Sequence, residues 1–333
     1  MSVTLTTPNY TQFEKGFFIT EAVIGMDTVN NGLLYVASGV KNDKYTFPVF
    51  SASPKLNPRT LIPVDNSTIV LSNKDIILGA FDAYELVDPN IFENHWQQDE
   101  LSDKLLSRSL PATFTNYLGG FYTAKTFVPV ENMLHMGSTT YVKTTGGSAE
   151  LPTSTNYSIQ YFDGIIKQAL NVTTPAKQVA AASPITSANV IEKMEDAKKL
   201  IPRALLSNPD RYKRLKYIMS VEDAQKYEDA LTTTLYKNND TTEAGINKYK
   251  GYQVVVCAGV PEHTFYFCEA TTDIQSNLQL AITSMENISF IIDKLQANSS
   301  AYFYKAELKM GVGIAKPTEF VIHTTKVLAD FTV

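Results

Sequence analysis

Cysteine, tryptophan and histidine are scarce: the chain holds two, one and four of them in 333 residues. Two thiols, Cys257 and Cys268, are too few for a disulfide framework. They flank Gly259-Val260-Pro261-Glu262 on strand candidates, a placement that would let them face each other across a hairpin. The preferred reading is two buried thiols in a reducing compartment. Long apolar runs are missing as well, so no membrane-spanning helix and no membrane partner is expected. Met1-Ser2-Val3-Thr4-Leu5-Thr6 shows no basic leader before an apolar core, and the expectation is a protein made and used in a cytoplasm. Positive charge is not in excess either: 29 Lys and Arg against 34 Asp and Glu leave a net charge of -5 at pH 7. Nucleic-acid binders usually present a basic surface to phosphates, so DNA near this chain would be contained by it and not gripped.

Motifs that announce chemistry are also lacking. His95, His135, His263 and His323 stand apart from one another and from any Cys or Asp cluster, whereas a zinc site needs three or four converging ligands. They read as scattered surface or half-buried histidines. Gly311-Val312-Gly313-Ile314-Ala315-Lys316 has lysine in place of the third glycine of a dinucleotide loop, and it runs from strand into Pro317 where that loop needs a helix. Two glycines in a tightly packed β-ribbon account for it better. With no phosphate-cradling lysine loop and no Gly-x-Ser-x-Gly elbow, neither enzyme activity nor a cofactor or metal is expected. Lys198, Lys199, Arg203, Arg211, Lys213, Arg214 and Lys216 form the one basic concentration, by default a solvated face and otherwise a contact for acidic partners.

What the chain does have is apolar and aromatic content: 44% hydrophobic residues, with 17 Phe and 18 Tyr, enough to bury a sizeable core. Residues 1–33 are polar with spaced aromatics, among them Tyr10, Phe13 and Phe17, which suits an arm lying on a neighbour. Leu33-Leu34-Tyr35-Val36 and Tyr45-Thr46-Phe47-Pro48-Val49-Phe50 read as strands on either side of an Asn42-Asp43 turn. Pro48 favours an edge position. After Pro54, Pro58 and Pro63, a second β-like run through Ile69-Val70-Leu71 and Ile76-Ile77-Leu78 makes a long hairpin, either reaching onto an adjacent subunit or lying on the surface. A helical pattern follows at Leu101, Leu105 and Leu106, broken at Pro111, and Pro129 opens a further helix with Val130, Met133 and Leu134 that stops at Gly137. Ile185 to Ile201 reads as an amphipathic helix, and Ser220-Val221-Glu222-Asp223 as a capping box, with Val221, Ala224, Tyr227 and Leu231 as the buried stripe after it. Strands are expected at 252–257, 263–268, 290–292 and 306–324. Helices and strands mix without regular alternation, which argues an α+β fold.

Several segments, in order, resemble the major capsid protein of tailed bacteriophages. Phe92-Glu93-Asn94-His95-Trp96 is similar to the entry of that family's spine helix, and Glu131-Asn132-Met133-Leu134-His135-Met136-Gly137-Ser138 to its end. Phe162-Asp163-Gly164-Ile165-Ile166, Tyr217-Ile218-Met219-Ser220, Lys250-Gly251-Tyr252-Gln253-Val254-Val255 and Lys309 to Val321 follow in the family's order. The resemblance spans about 90–325. It implies a Hong Kong 97-type capsid fold: an N-terminal arm at 1–33, an extended loop at 34–75, a peripheral domain at 76–215 with a spine helix about 97–118, an axial domain at 216–305 and a return to the peripheral domain at 306–333. It further implies pentamers and hexamers closing into an icosahedral shell around double-stranded DNA, with assembly in the host cytoplasm. A separate scaffold protein is expected because the arm begins almost at Met1, with a portal and other head proteins as further partners. Packaged DNA would be met without sequence-specific binding. Lys41, Lys44 and Lys55 lie in the proposed loop, but no signature fixes an Asn partner for crosslinking. Tyr10, Phe13, Phe17, Tyr45, Phe47 and Phe50 are the candidate inter-subunit contacts. The alternatives are a tail or head-tail adaptor protein, and a cytoplasmic hydrolase built on His135 or His263 with a distant Asp or Ser.

Overall fold

The computed structural model describes residues 26–53, 59, 68–87, 126, 128–140, 160–171, 173, 175–179, 183–233, 248–283, 290–295 and 302–331. The arm aromatics Tyr10, Phe13 and Phe17, the spine helix about 97–118, His95 and Trp96 lie outside the described residues. The described part is α+β, as the irregular order of helical and strand patterns indicated.

Six strands form one sheet: β5 (Lys177–Gln178), β13 (Val321–His323), β9 (Phe265–Glu269), β6 (Leu215–Met219), β8 (Tyr252–Val256) and β7 (Lys248–Tyr249), in that spatial order. Side chains alternate across a strand, and here both faces are apolar. Tyr217, Met219, Phe265, Phe267, Val254 and Val321 point to one core, whereas Ile218, Tyr266, Cys268, Val255 and Ile322 point to the other. The first core is closed by α4 (Val190–Leu200) and α7 (Val221–Thr233). Val190, Met194 and Ala197 of α4 and Ala224, Tyr227 and Ala230 of α7 sit at helical spacing and are buried there, whereas Val221, expected in the α7 stripe, is exposed at the helix start and Leu231 is half-buried. Only half of the expected capping box forms. The Ser220 hydroxyl accepts from the Asp223 N–H at 3.1 Å, but the Asp223 carboxylate accepts from Thr264 N–H at 3.1 Å and from Lys226 of the same helix at 3.2 Å, not from the Ser220 N–H.

A second sheet is organised by β12 (Tyr302–Ile314). Antiparallel to it run β10 (Leu278–Thr283), β11 (Phe290–Lys294) and β4 (Gly79–Val87), and β1 (Tyr35–Val40) adds to β10 in parallel. Residues 35–40 of the segment assigned to the extended loop are thus woven into the body. Between the two sheets lie α1 (Asp27–Asn30), the helix α2 (128–136) and α3 (Ile165–Ala169). Val130, Met133 and Leu134 of α2 are buried, and Gly137 N–H closes the helix on Met133 O at 2.8 Å, as the Gly137 stop foretold, whereas Thr126 and Val128 are already helical ahead of Pro129.

The thiols are both free and buried. They do not meet across a hairpin, because β6 is inserted between β8 and β9 and takes a ladder from each. Burial pushes the Cys257 thiol up to about 12 and the Cys268 thiol further. The histidine expectation also needs correction: His135 and His323 are fully buried. The Tyr217 hydroxyl donates to Met194 O at 2.9 Å inside the first core. Tyr217→Phe should therefore cost about 1 kcal/mol, and Tyr217→Ala about 3–5 kcal/mol, measured by urea unfolding. Equal losses from the two would contradict this division between hydroxyl and ring.

Candidate functional site

A third, two-stranded sheet stands on the second one. It is the hairpin of β2 (Lys44–Ser53) and β3 (Thr68–Ile77), paired in unbroken antiparallel register from Lys44 with Ile77 to Ser53 with Thr68. Period-2 alternation gives the hairpin two unlike faces. The inner face carries Tyr45, Phe47, Val49 and Ile76, which form a small core with Val40, Leu78, Ala281 and Ala315. Tyr45 and Phe47 stack with centroids 5.9 Å apart. The glycines of the 311–316 motif explain how the hairpin sits so close. A Cβ at Gly311 would lie 2.3 Å from Ile77 O, and one at Gly313 would lie 2.6 Å from the Ile76 side chain. The reading of two glycines in a packed ribbon is therefore right, and their missing side chains make the seat.

The inner face stays covered only near the root. Val70 lies on the same face as Phe47, yet Val70 is 51% exposed and Phe47 only 3%. On the outer face, Phe50 and Leu71 are cross-strand partners with 60% and 65% exposure. Polar links cluster at the root: Lys44 to Asp75 at 2.8 Å and Thr46 to Asp75 at 2.6 Å join the two strands of the hairpin, and Lys309 to Asp43 ties the root to the body. Hydrogen bonds from Lys44 and Thr46 hold the Asp75 carboxyl below its usual range. Beside the root runs a groove of about 440 Å³, bounded by Pro48, Phe50, Ile274, Gln275 and Lys316. Ile274 is a further open apolar side chain on its rim.

Of the candidate contacts on described residues, Phe50 is thus open to a partner, Tyr45 is half-buried and Phe47 is filled by its own chain. Phe47 and Phe50 are three residues apart on a strand and so must face opposite ways, a parity already present in the sequence. The basic concentration is divided. Arg211 donates to Glu269 Oε2 at 2.7 Å and to Glu319 Oε2 at 2.6 Å, tying α6 (Pro209–Tyr212) to the end of β9. Arg214 lies 3.7 Å from Glu269 and bonds Gln275. Arg203 and Lys213 remain exposed.

Of the histidines that the hydrolase reading named, His135 is fully buried and His263 lies 3.8 Å from the Asp223 carboxylate. His263 Nδ1 accepts from Ile185 N–H at 3.2 Å. His323 Nε2 lies 3.2 Å from Ser183 O, and burial pulls this imidazole down to about 4. Among the described residues no cluster of His, Cys, Asp and Glu has the makings of a metal site, and no helix is long and apolar enough to cross a membrane.

These elements define a class of fold: a body of two sheets, helices on one of them, and a long hairpin cantilevered from the other. It is the Hong Kong 97-type capsid fold. No protein-family model and no curated protein matches the sequence. Among solved structures, a chain of Gordonia phage Cozz is similar at TM-score 0.55 and 11% identity over 90% of this chain and 86% of that one. A chain from the satellite phage P4 procapsid, which includes a size determination protein, is similar at 0.54 and 10% over 92% and 97%. A chain of the capsid of an empty GTA particle is similar at 0.53 and 10% over 97% and 92%.

The seat yields a direct contrast. Phe47→Ala should lower stability by about 3–5 kcal/mol, and Phe50→Ala should stay within about 0.5 kcal/mol of the parent. Chemical denaturation of the two variants checks this; a large loss in the Phe50 variant would mean that its ring is covered within its own chain.

Proposed function

We propose that this chain is a shell-forming major capsid protein that self-assembles into pentamers and hexamers and closes an icosahedral shell around double-stranded DNA. The observation that carries the reading is the hairpin: it is seated on its own body only at the root, and beyond the root it presents Phe50, Val70 and Leu71 to solvent on both faces. Unlike surfaces of identical chains that meet head to tail close into rings when the rotation permits. A projecting hairpin adds contact area without a larger core, and obligate interfaces of this kind commonly bury about 2,000 Å² or more, rich in aromatics.

Phe50 with Leu71 is the contact pair on this reading. Tyr45 and Phe47 set the angle at which it is presented, and Tyr10, Phe13 and Phe17 are contacts of the arm. The domain division keeps the arm at 1–33, the loop at 34–75, the peripheral parts at 76–215 and 306–333, and the axial part at 216–305. The protein acts structurally and not as an enzyme, and its place is the virion shell, assembled in the host cytoplasm. A scaffold, a portal and other head proteins are its partners. The size determination protein in the satellite phage P4 particle is an example of an assembly partner within this fold. A net charge of -5 suits a wall that holds DNA without adhering to it.

Electron microscopy of the purified chain, alone and coexpressed with a scaffold, tests the reading. Closed shells are the expected result, and open rings only would favour a tail or adaptor role. The double variant Phe50→Ala with Leu71→Ala should keep the parent's melting temperature and stall at soluble capsomers. Normal particles from it would remove the hairpin from the contact.

A further inference from the structure

Glu131 and His135, one turn apart on α2, are 4% and 0% exposed. Glu131 Oε1 accepts from the Thr28 backbone N–H at 3.2 Å and from the Thr28 hydroxyl, and lies 3.3 Å from His135 Nε2. The other carboxylate oxygen, Oε2, is buried without a hydrogen-bond partner. The His135 ring is engaged on both sides, Nε2 at 3.0 Å from Thr28 Oγ1 and Nδ1 at 3.3 Å from the Tyr266 hydroxyl of β9. Two more titratable groups face the pair from the elements packed on it: Asp27 of α1, which accepts from Ala258 N–H at 3.2 Å, and the buried Cys257. The 257–260 bend presses on the pair so closely that a Cβ at Gly259 would meet Glu131 Cγ at 2.6 Å and His135 Cδ2 at 2.8 Å.

This cluster is where α1 is fastened. The helix has four residues and no side-chain cap, and its buried Thr28 makes its hydrogen bonds to one carboxylate and one imidazole. Asn31 Nδ2 adds a 3.3 Å bond to Val256 O, and it lies 4.0 Å from Cys257 Sγ. Downstream, Leu33 and Leu34 are buried and β1 is laddered to β10, so the chain is fixed from there. Between the fixed part and α1 stands Gly32, at φ +60, a conformation glycine adopts without strain and leaves as readily.

We propose that Glu131, His135 and Thr28 form an acid-released latch: at neutral pH it holds residues 26–31 on the body, and on acidification those residues turn away about Gly32 and uncover Cys257. The inference concerns the single chain and stands apart from the shell reading. Burial alone would raise the Glu131 carboxyl, but the hydrogen bond and charge of His135 and the two donors of Thr28 outweigh it and hold the group below 4.5. A carboxyl lowered in the closed form stabilises that form above its unfolded value and loses this contribution as pH falls through the lowered one. The latch is therefore closed above the ordinary carboxylate range and opens as pH falls through the lowered value of Glu131.

Thiol labelling of the full chain tests the latch, using a dipyridyl disulfide that reacts in acid, with rates normalised to a cysteine peptide at each pH. Cys268, inside β9, reports global unfolding, because no local opening of α1 reaches it. Between neutral pH and about pH 3.5, labelling of Cys257 should accelerate about tenfold or more while Cys268 stays protected, the signature of a local opening. Glu131→Gln should label fast at Cys257 already at neutral pH and respond little to acid. A Cys257 as slow as Cys268 in acid, or the two accelerating together, overturns the latch. If Glu131→Gln exposes Cys268 at neutral pH and so has not folded, Thr28→Val decides: it keeps the volume and the backbone donor, and it should move the opening midpoint to higher pH. An unmoved midpoint overturns the proposal as well.

Discussion

Everything outward in this molecule is positioned by β12. Its thirteen residues pair with β10 and β11 along one edge and β4 along the other, so one strand ties the body sheet into a ribbon. Near its end, where a side chain would normally stand, Gly311 and Gly313 leave the surface low enough for Ile76 and the Ile77 carbonyl to settle on the backbone. The hairpin's angle is thus set by two absent side chains more than by any attraction. Close-packed interiors do not deform to admit a methyl at such contacts, so the angle is fixed and not merely favoured.

That constraint explains the distribution of apolar residues along the hairpin. A two-stranded sheet is marginal on its own in water. Here the root is stabilised by Phe47, Ile76 and their small core, and the root in turn holds the outer strands in register. Pro48 is tolerated because each strand of a two-stranded sheet is an edge. Past Val49 the body no longer lies beneath, and Val70 emerges although it shares the face of Phe47. A pair such as Phe50 and Leu71, exposed on the opposite face as well, means that the distal hairpin has apolar surface on both sides and its own body on neither.

Local features were readable from residues alone: the α4 stripe and the middle of the α7 stripe, the glycine stop of α2, the long hairpin, and the glycines of β12. Each depends on near neighbours or on a period of two or 3.6. What escaped was long-range pairing. Nothing local says that β1 leaves the hairpin to run parallel to β10, or that β6 inserts between β8 and β9 and parts the two cysteines. The Arg211 bridge to Glu269 and Glu319 joins residues far apart in sequence, so the basic run looked freer than it is. The buried pair did leave a trace. Glu131 and His135 are spaced i, i+4 within a helix whose Val130, Met133, Leu134 and Met136 are all buried, so no polar face was left for them to occupy.

The same helix shows why a body of this kind keeps a carboxylate where hydrocarbon would pack as well. An apolar pair at 131 and 135 would hold α1 at every pH, since burial of apolar surface carries no proton linkage. Hydrogen bonds to an ionised carboxylate are roughly twice as strong as neutral ones, and a carboxyl that takes a proton loses acceptor capacity together with its charge. One proton at one carboxyl thus weakens the polar bonds that hold Thr28, leaving the apolar contacts of Met26 and Val29 to hold α1. The hairpin and α1 therefore attach to the body by opposite means: one is locked by backbone contacts that admit no adjustment, and the other rests on a charge that one proton can cancel.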